Sequence, residues 1–205
     1  AVVLGNSRAA LGPRPAAALE RGIRVLDVGC GSGRIINRLA GLFPRSTFEG
    51  RDLSREAIDA AVHDAREKEI SNAAFVTEDL SDFEHAAEPD AFDLVTTFDA
   101  IHDQAKPLNV LKGIRRTLRS SGVYVMQDIR ASSHVIGNID HPLGTLLYAV
   151  SCLHSMTVSL AQGGEGLGAM WGEERTREYL QAAGFTSVDV HQLRHDIQNN
   201  WYIVR

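Results

Sequence analysis

The sequence predicts one α/β domain built on a doubly wound sheet, and three observations predict it. First, Val25-Leu26-Asp27-Val28 is followed by glycines at every second position, Gly29, Gly31 and Gly33, and then by a helical pattern. Second, β-rich runs alternate with helix-periodic segments as far as Met126. Third, two final β-rich runs, 187–193 and 199–204, lie close enough to form an antiparallel hairpin.

The elements follow in order. Residues 1–22 read as a lead-in or linker ending in a short helix over 15–22, closed by Gly22. The domain proper spans 23–205, and its first strand is 23–28. Ile35, Ile36, Leu39, Leu42 and Phe43 predict a helix that Pro44 stops. A second strand at 47–51 leads to Ser54, which caps a helix reaching about 70. Strands at 74–77 and 92–98 come next. Pro107 opens a helix with a stripe of Leu108, Leu111, Ile114 and Leu118. A fifth strand is read at 122–126. An insert over about 129–172 then interrupts the rhythm, and it is far longer than an ordinary connection. It holds one helix near 143–160 and the glycine-rich tract 163–168. A helix over 174–183, ended by Gly184, precedes the hairpin.

Bulk properties narrow the function. A chain of 205 residues, 44% hydrophobic, suits one domain with a real core. A net charge of −5 gives no electrostatic footprint for nucleic acid. Two distant cysteines, Cys30 and Cys152, point to a reducing, cytoplasmic compartment. No secretory leader is read, and Gly, Ser and Thr interrupt 143–160 too often for a membrane span. The chain does not begin with Met, as in a trimmed chain or the C-terminal part of a longer one.

The glycine turn carries the most chemistry. Glycines let the backbone bend sharply and let a ligand lie against it. The helix that follows aims free N–H groups back at that ligand. The dinucleotide fingerprint G-x-G-x-x-G, counted from Gly29, needs a glycine where Arg34 stands. The run Asp27-x-Gly29-x-Gly31-x-Gly33 instead resembles motif I of the class I S-adenosylmethionine-dependent methyltransferases. That cofactor is a cation, so Asp27 beside the turn favours it and opposes a pyrophosphate.

The ends of later strands extend the pattern. Asp52 stands 19 residues past Gly33, where an acid commonly accepts from ribose hydroxyls; the other reading is an acid at a helix N-terminus. Leu53 would pack on the adenine. Asp79-Leu80 resembles the family's adenine site, with Asp79 accepting from the amino group and Leu80 offering its backbone N–H. The Phe98-Asp99-Ala100-Ile101-His102-Asp103 segment resembles the one that floors the cofactor's methionine moiety. The resemblance covers 23–128 and implies a Rossmann-like seven-stranded sheet whose last strand is antiparallel. The endings Met170-Trp171-Gly172 and Asn199-Asn200-Trp201-Tyr202 resemble a small-molecule branch that often carries an N-terminal winged-helix domain, which these residues do not show.

Methyl transfer to oxygen or nitrogen of a small acceptor can need a general base near neutral pH. His102 is the first candidate, because His102-Asp103 resembles the His-Asp pair of small-molecule O-methyltransferases. Gln104 replaces that family's Trp, and the alternative is a histidine that orders its turn. The insert is the expected substrate cap, with Tyr148, His154 and Trp171 as acceptor contacts and 163–168 as a lid hinge or a plain loop. Its helix can equally pack on the sheet or form a homodimer interface. No metal is expected: the eight histidines are scattered, and Asp99, Asp103 and Asp128 read as hydrogen-bonding groups around the cofactor rather than a magnesium site. The rival readings are a methyltransferase for protein or nucleic acid, a non-catalytic cofactor-binding module and a nicotinamide oxidoreductase.

Overall fold

The computed structural model describes residues 13–205. Residues 1–12 of the expected lead-in lie outside the described residues. Seven strands form one sheet in the order β3-β2-β1-β4-β5-β7-β6. They are β1 Arg24–Val28, β2 Thr47–Asp52, β3 Ala73–Thr77, β4 Phe92–Phe98, β5 Leu118–Ile129, β6 Val188–His191 and β7 Asn199–Val204. The pairs from β3 through β5 are parallel, while β7 runs antiparallel to both β5 and β6. The expected hairpin is therefore present, with its second strand inserted against β5.

Seven helices accompany the sheet among the described residues: α1 Pro13–Arg21, α2 Arg34–Leu42, α3 Arg55–Glu67, the single turn α4 Phe83–Ala86, α5 Pro107–Thr117, α6 Gly144–Ala161 and α7 Gly172–Ala182. Adjacent strand residues point to opposite faces, and both faces are covered. Leu26, Val95, Tyr124 and Tyr202 pack with Leu111 and Ile114 of α5 and Leu180 of α7. Val25, Leu94, Val125 and Trp201 pack with Ile36 and Leu39 of α2 and Leu19 of α1. Leu19 is fully buried and its carbonyl accepts from Ser46 Oγ at 2.8 Å, so the short helix belongs to the core.

Two elements differ from expectation. β5 is longer at both ends than its apolar stretch: Leu118 pairs with Phe92, and a register shift between Phe92 and Leu94 absorbs the polar Arg119-Ser120-Ser121. The insert helix runs unbroken from Gly144 to Ala161 through a π turn at Ser151–Ser155. It is long and apolar enough, by length and composition, to cross a membrane. The Gly, Ser and Thr interruptions therefore do not rule out a span, because they leave the helix continuous.

The chain leaves β1 toward β2 and β3, then returns to place β4 on the other side of β1. Such a reversal opens a crevice at the carboxyl ends of the strands, where α/β sheets hold ligands.

Candidate active site

The glycine turn occupies that crevice. Gly29, Gly31 and Gly33 all take left-handed φ, at +73°, +52° and +64°. Their surroundings differ. A Cβ on Gly29 would stand 2.6 Å from Ala100 Cβ, and one on Gly33 would stand 2.5 Å from the Phe75 ring. A Cβ on Gly31 would meet nothing within 4 Å. The outer glycines thus permit close packing, and the middle one leaves its face open. Gly31 N–H donates to Asp52 Oδ2 at 2.8 Å, while Asp52 Oδ1 accepts from Ser54 N–H at 2.9 Å. Ser54 Oγ in turn caps α3 by accepting from Ala57 N–H at 3.2 Å. Asp52 therefore ties the turn to the end of β2.

A cavity of about 210 Å³ lies beside the turn. Four strand ends contribute to it: Gly29 after β1, Asp52 and Leu53 at β2, Asp79 and Leu80 after β3, and Phe98, Asp99 and Asp103 at β4. Val158 of α6 and Gln162, just past its end, also line it. Every ionisable side chain in the lining is a carboxylate: Asp52, Glu78, Asp79, Asp99 and Asp103. Among the described residues, only Glu78 of these has an Arg partner, Arg51 at 2.9 Å. Asp79 accepts from Ser81 N–H at 2.9 Å, and Phe98 meets Trp201 edge-on at 6.0 Å.

Asp99 is the most unusual of these acids. Its φ is +49°, a conformation uncommon outside glycine. Its Oδ2 accepts from Gln127 Nε2 at 3.0 Å, while its buried Oδ1 has no hydrogen-bond partner. Burial, reinforced by the neighbouring Asp128 charge, pushes its carboxyl up to about 7. A lining of acceptors with an orphaned carboxylate oxygen suits a cation bearing N–H and O–H donors. A pyrophosphate would meet five carboxylates there.

Of the residues predicted from sequence, Gly29, Asp52, Leu53, Asp79, Leu80 and Phe98 come together around this cavity. Asp27, Gly31 and Gly33 do not line it. Asp27 is buried and accepts from Thr96 Oγ1 at 2.7 Å; burial pushes its carboxyl up to about 7. His102 is 4% exposed and does not line the cavity. Its Nδ1 lies 2.7 Å from Asp128 Oδ1 and its Nε2 lies 3.4 Å from Asp103 Oδ1. Burial, the largest single influence, would lower the imidazole's pKa, but the carboxylates of Asp128, Asp103 and Asp99 together outweigh it and the group rises to about 9. That geometry departs from a free base facing an acceptor.

Tyr148, His154 and Trp171 are not brought together. Tyr148 OH accepts from Asn138 Nδ2 at 3.0 Å, His154 is exposed, and Trp171 is buried edge-on against Tyr179 at 5.7 Å. None of the three lines the first cavity, nor a second of about 810 Å³ between Arg130, His141 and Asn200. Val158 and Gln162 had no sequence signal, because only the fold-back of the insert brings them here. That fold-back is strapped down. Ser159 Oγ donates to Gln104 O at 2.9 Å and Glu165 N–H donates to Ala105 O at 3.1 Å. Tyr179 OH donates to Glu165 Oε2 at 2.5 Å, so the glycine tract is held from both sides. Among the described residues, one group stands close enough to share a metal, the exposed Asp82 and His85 with the half-buried Glu84, and it lies outside the cavity lining.

Comparison with known proteins agrees with this architecture. The chain is 33% identical over 105 residues to the mitochondrial ubiquinone biosynthesis O-methyltransferase of Candida albicans, covering 50% of this chain and 31% of that protein. It is 33% identical over 110 residues to the fatty-acid O-methyltransferase of Mycolicibacterium smegmatis, covering 53% of this chain and 38% of that one. The chain thus spans well under half the length of these curated relatives. The crystal structure of a SAM-dependent methyltransferase from Aquifex aeolicus superposes with a TM-score of 0.67 at 15% identity, covering 97% of this chain and 92% of that one, and so shares the fold. A family model described as a methyltransferase domain matches residues 19–184, from the buried end of α1 through the close of α7, and the chain belongs to that family.

Proposed function

We propose that this chain binds S-adenosylmethionine in the acidic cavity and transfers its methyl group to an oxygen or nitrogen of a small-molecule acceptor. The carboxylate-only ionisable lining beside the glycine turn carries this reading. The cofactor brings an ammonium, a sulfonium, ribose hydroxyls and an amino group, all of which suit acceptors. When bound it supplies a methyl group already activated for displacement.

The residues divide the work. Asp52 would accept from the ribose hydroxyls, with Leu53 against the adenine. Asp79 and the backbone N–H of Leu80 would hold the adenine edge. Gly29, Gly31 and Phe98 would let the ligand lie against the turn and its floor. Asp99 and Asp103 would face the positive charges. Asp27 and Gly33 would act beneath the turn, by shaping it. The curated relatives are named O-methyltransferases, which favours oxygen as the acceptor atom.

His102 is a positioning residue in this reading. Held between two acids it keeps its proton near neutral pH, so it cannot receive one from an acceptor. It would fix Asp103 at the cavity instead. Asp99, which lines the cavity and has an unpartnered oxygen, is better suited to accept a proton. Contacts from Tyr148, His154 and Trp171 to an acceptor would require the insert to move. The cytoplasm, read from the cysteines, remains the proposed compartment.

The test is transfer of labelled methyl from S-adenosylmethionine to a panel of phenols, carboxylic acids and amines. Transfer to at least one, reduced more by Asp99→Asn than by His102→Gln, is expected. Cofactor binding without turnover on any acceptor would contradict the reading.

A further inference from the structure

Asp99 is an acid fixed in place by one amide. Phe98 pairs with Gln127 across β4 and β5. The ladder runs one step further, because Asp99 N–H donates to Gln127 O at 3.0 Å. In a regular strand the next side chain points to the opposite face. The left-handed φ of Asp99, +49°, breaks that alternation and turns its carboxylate back toward Gln127. There Gln127 Nε2 donates to Oδ2 at 3.0 Å. The two residues thus meet through backbone and side chain alike. Gln127 is 4% exposed and stands between Phe98 of β4 and Trp201 of β7, so little water competes for the contact.

Most other groups around Asp99 are acids. Asp103 lies on its own segment, Asp128 on β5 and Asp196 in the connection from β6 to β7, and all three favour its protonated form. Asp52, Glu78 and Asp79 line the same cavity. His102 acts the other way, but its ring is held by Asp128 and Asp103. Among the described residues, Gln127 alone offers Asp99 a side-chain donor. An Arg or Lys in its place would fix the negative charge. An amide is different: Nε2 donates to the carboxylate, and after a flip Oε1 accepts from the carboxyl O–H. By taking Oδ2, Gln127 leaves Oδ1 without a partner.

We propose that Gln127 is the positioning residue for Asp99: it leaves Oδ1 free for the cavity's ligand and holds the carboxyl group in both of its protonation states. Its part in cofactor binding rests on the cavity holding S-adenosylmethionine; the pairing itself does not. Burial and the Asp128 charge already hold the Asp99 carboxyl at about 7. Removing the amide takes away a hydrogen bond made to the charged form, so the carboxyl rises further.

The test is a carbon-13 NMR titration of the Asp99 carboxyl in the full chain, with Gln127→Met, which keeps the length of the side chain and loses the donor. The midpoint should rise by about one pH unit or more, as expected for a lost hydrogen bond to a charged group. At pH 7 the ionised fraction then falls from about a half to about a tenth, so affinity for S-adenosylmethionine in calorimetry should fall about fivefold. At pH 9 parent and variant should bind alike. In an Asp99→Asn background, Gln127→Met should change the affinity no more than about twofold, which a merely structural role would not give. Gln127→Asn keeps an amide but withdraws it from Asp99, and should act in the same direction if the Met variant folds poorly. A midpoint unchanged in both variants overturns the proposal, whatever the cavity binds. An equal loss of affinity with and without Asp99 overturns it too. A midpoint that rises in a chain that does not bind S-adenosylmethionine upholds the pairing and overturns the reading of the cavity instead.

Discussion

Asp128 and His102 make the tightest charged contact of the site, at 2.7 Å, with both groups buried. An imidazole titrates near 6.5 in the unfolded chain and at about 9 in the fold. The folded state therefore binds this proton more tightly. The stability it contributes is complete below pH 6.5 and is lost as pH rises toward 9. Melting temperature measured across that window should fall, and Asp128→Asn should remove most of the fall. An unchanged slope in the variant would show that the pair does not hold the proton. A second prediction concerns Asp99. Replacing it by Asn keeps the shape and the Gln127 contact possible but removes the charge, so affinity for S-adenosylmethionine should drop about tenfold or more in calorimetry. Of these residues the sequence offered His102 as a candidate general base but could not show its partner. Asp128 is 26 residues away, and only the pairing of Phe98 with Gln127 across β4 and β5 brings the two together.

The glycine turn was legible as an element, from the spacing of Gly29, Gly31 and Gly33 after an apolar strand. The separate task of each glycine was not, because it depends on Ala100, Phe75 and Ala61 from other elements. This difference is testable. Gly33→Ala combines left-handed strain with a clash against Phe75 and Ala61, and should cost about 2–5 kcal/mol in denaturant unfolding. Gly31→Ala carries the strain alone, at about 1–2 kcal/mol, but places a methyl group on the open face of the turn. It should stay folded and lose cofactor affinity. Equal losses of stability would refute the division. The insert tells the opposite story. Its helix was visible, but neither the exposure of Leu146, Leu153 and Leu160 nor the strap onto Gln104 and Ala105 follows from periodicity. Ser159 Oγ both donates to Gln104 O and accepts from Gly166 N–H. Ser159→Ala should therefore speed hydrogen exchange across 159–166 while leaving the sheet's protection unchanged.

At the scale of the whole molecule, the alternation was readable because β1, β2 and β4 are short strands each followed by a helix with its own buried stripe. The switch between β1 and β4 then brings together acids that lie far apart in sequence, from Asp52 to Asp103. Each alone reads as an ordinary turn or cap residue. Together, with no Lys or Arg in the lining, they make a site for a cation. The central claim is that charge. It is tested most directly by calorimetric titration of the chain with S-adenosylmethionine, S-adenosylhomocysteine and NAD. The account predicts that the first two bind at one site, that Asp52→Ala weakens both, and that NAD does not bind. Binding of NAD without binding of S-adenosylmethionine would contradict it.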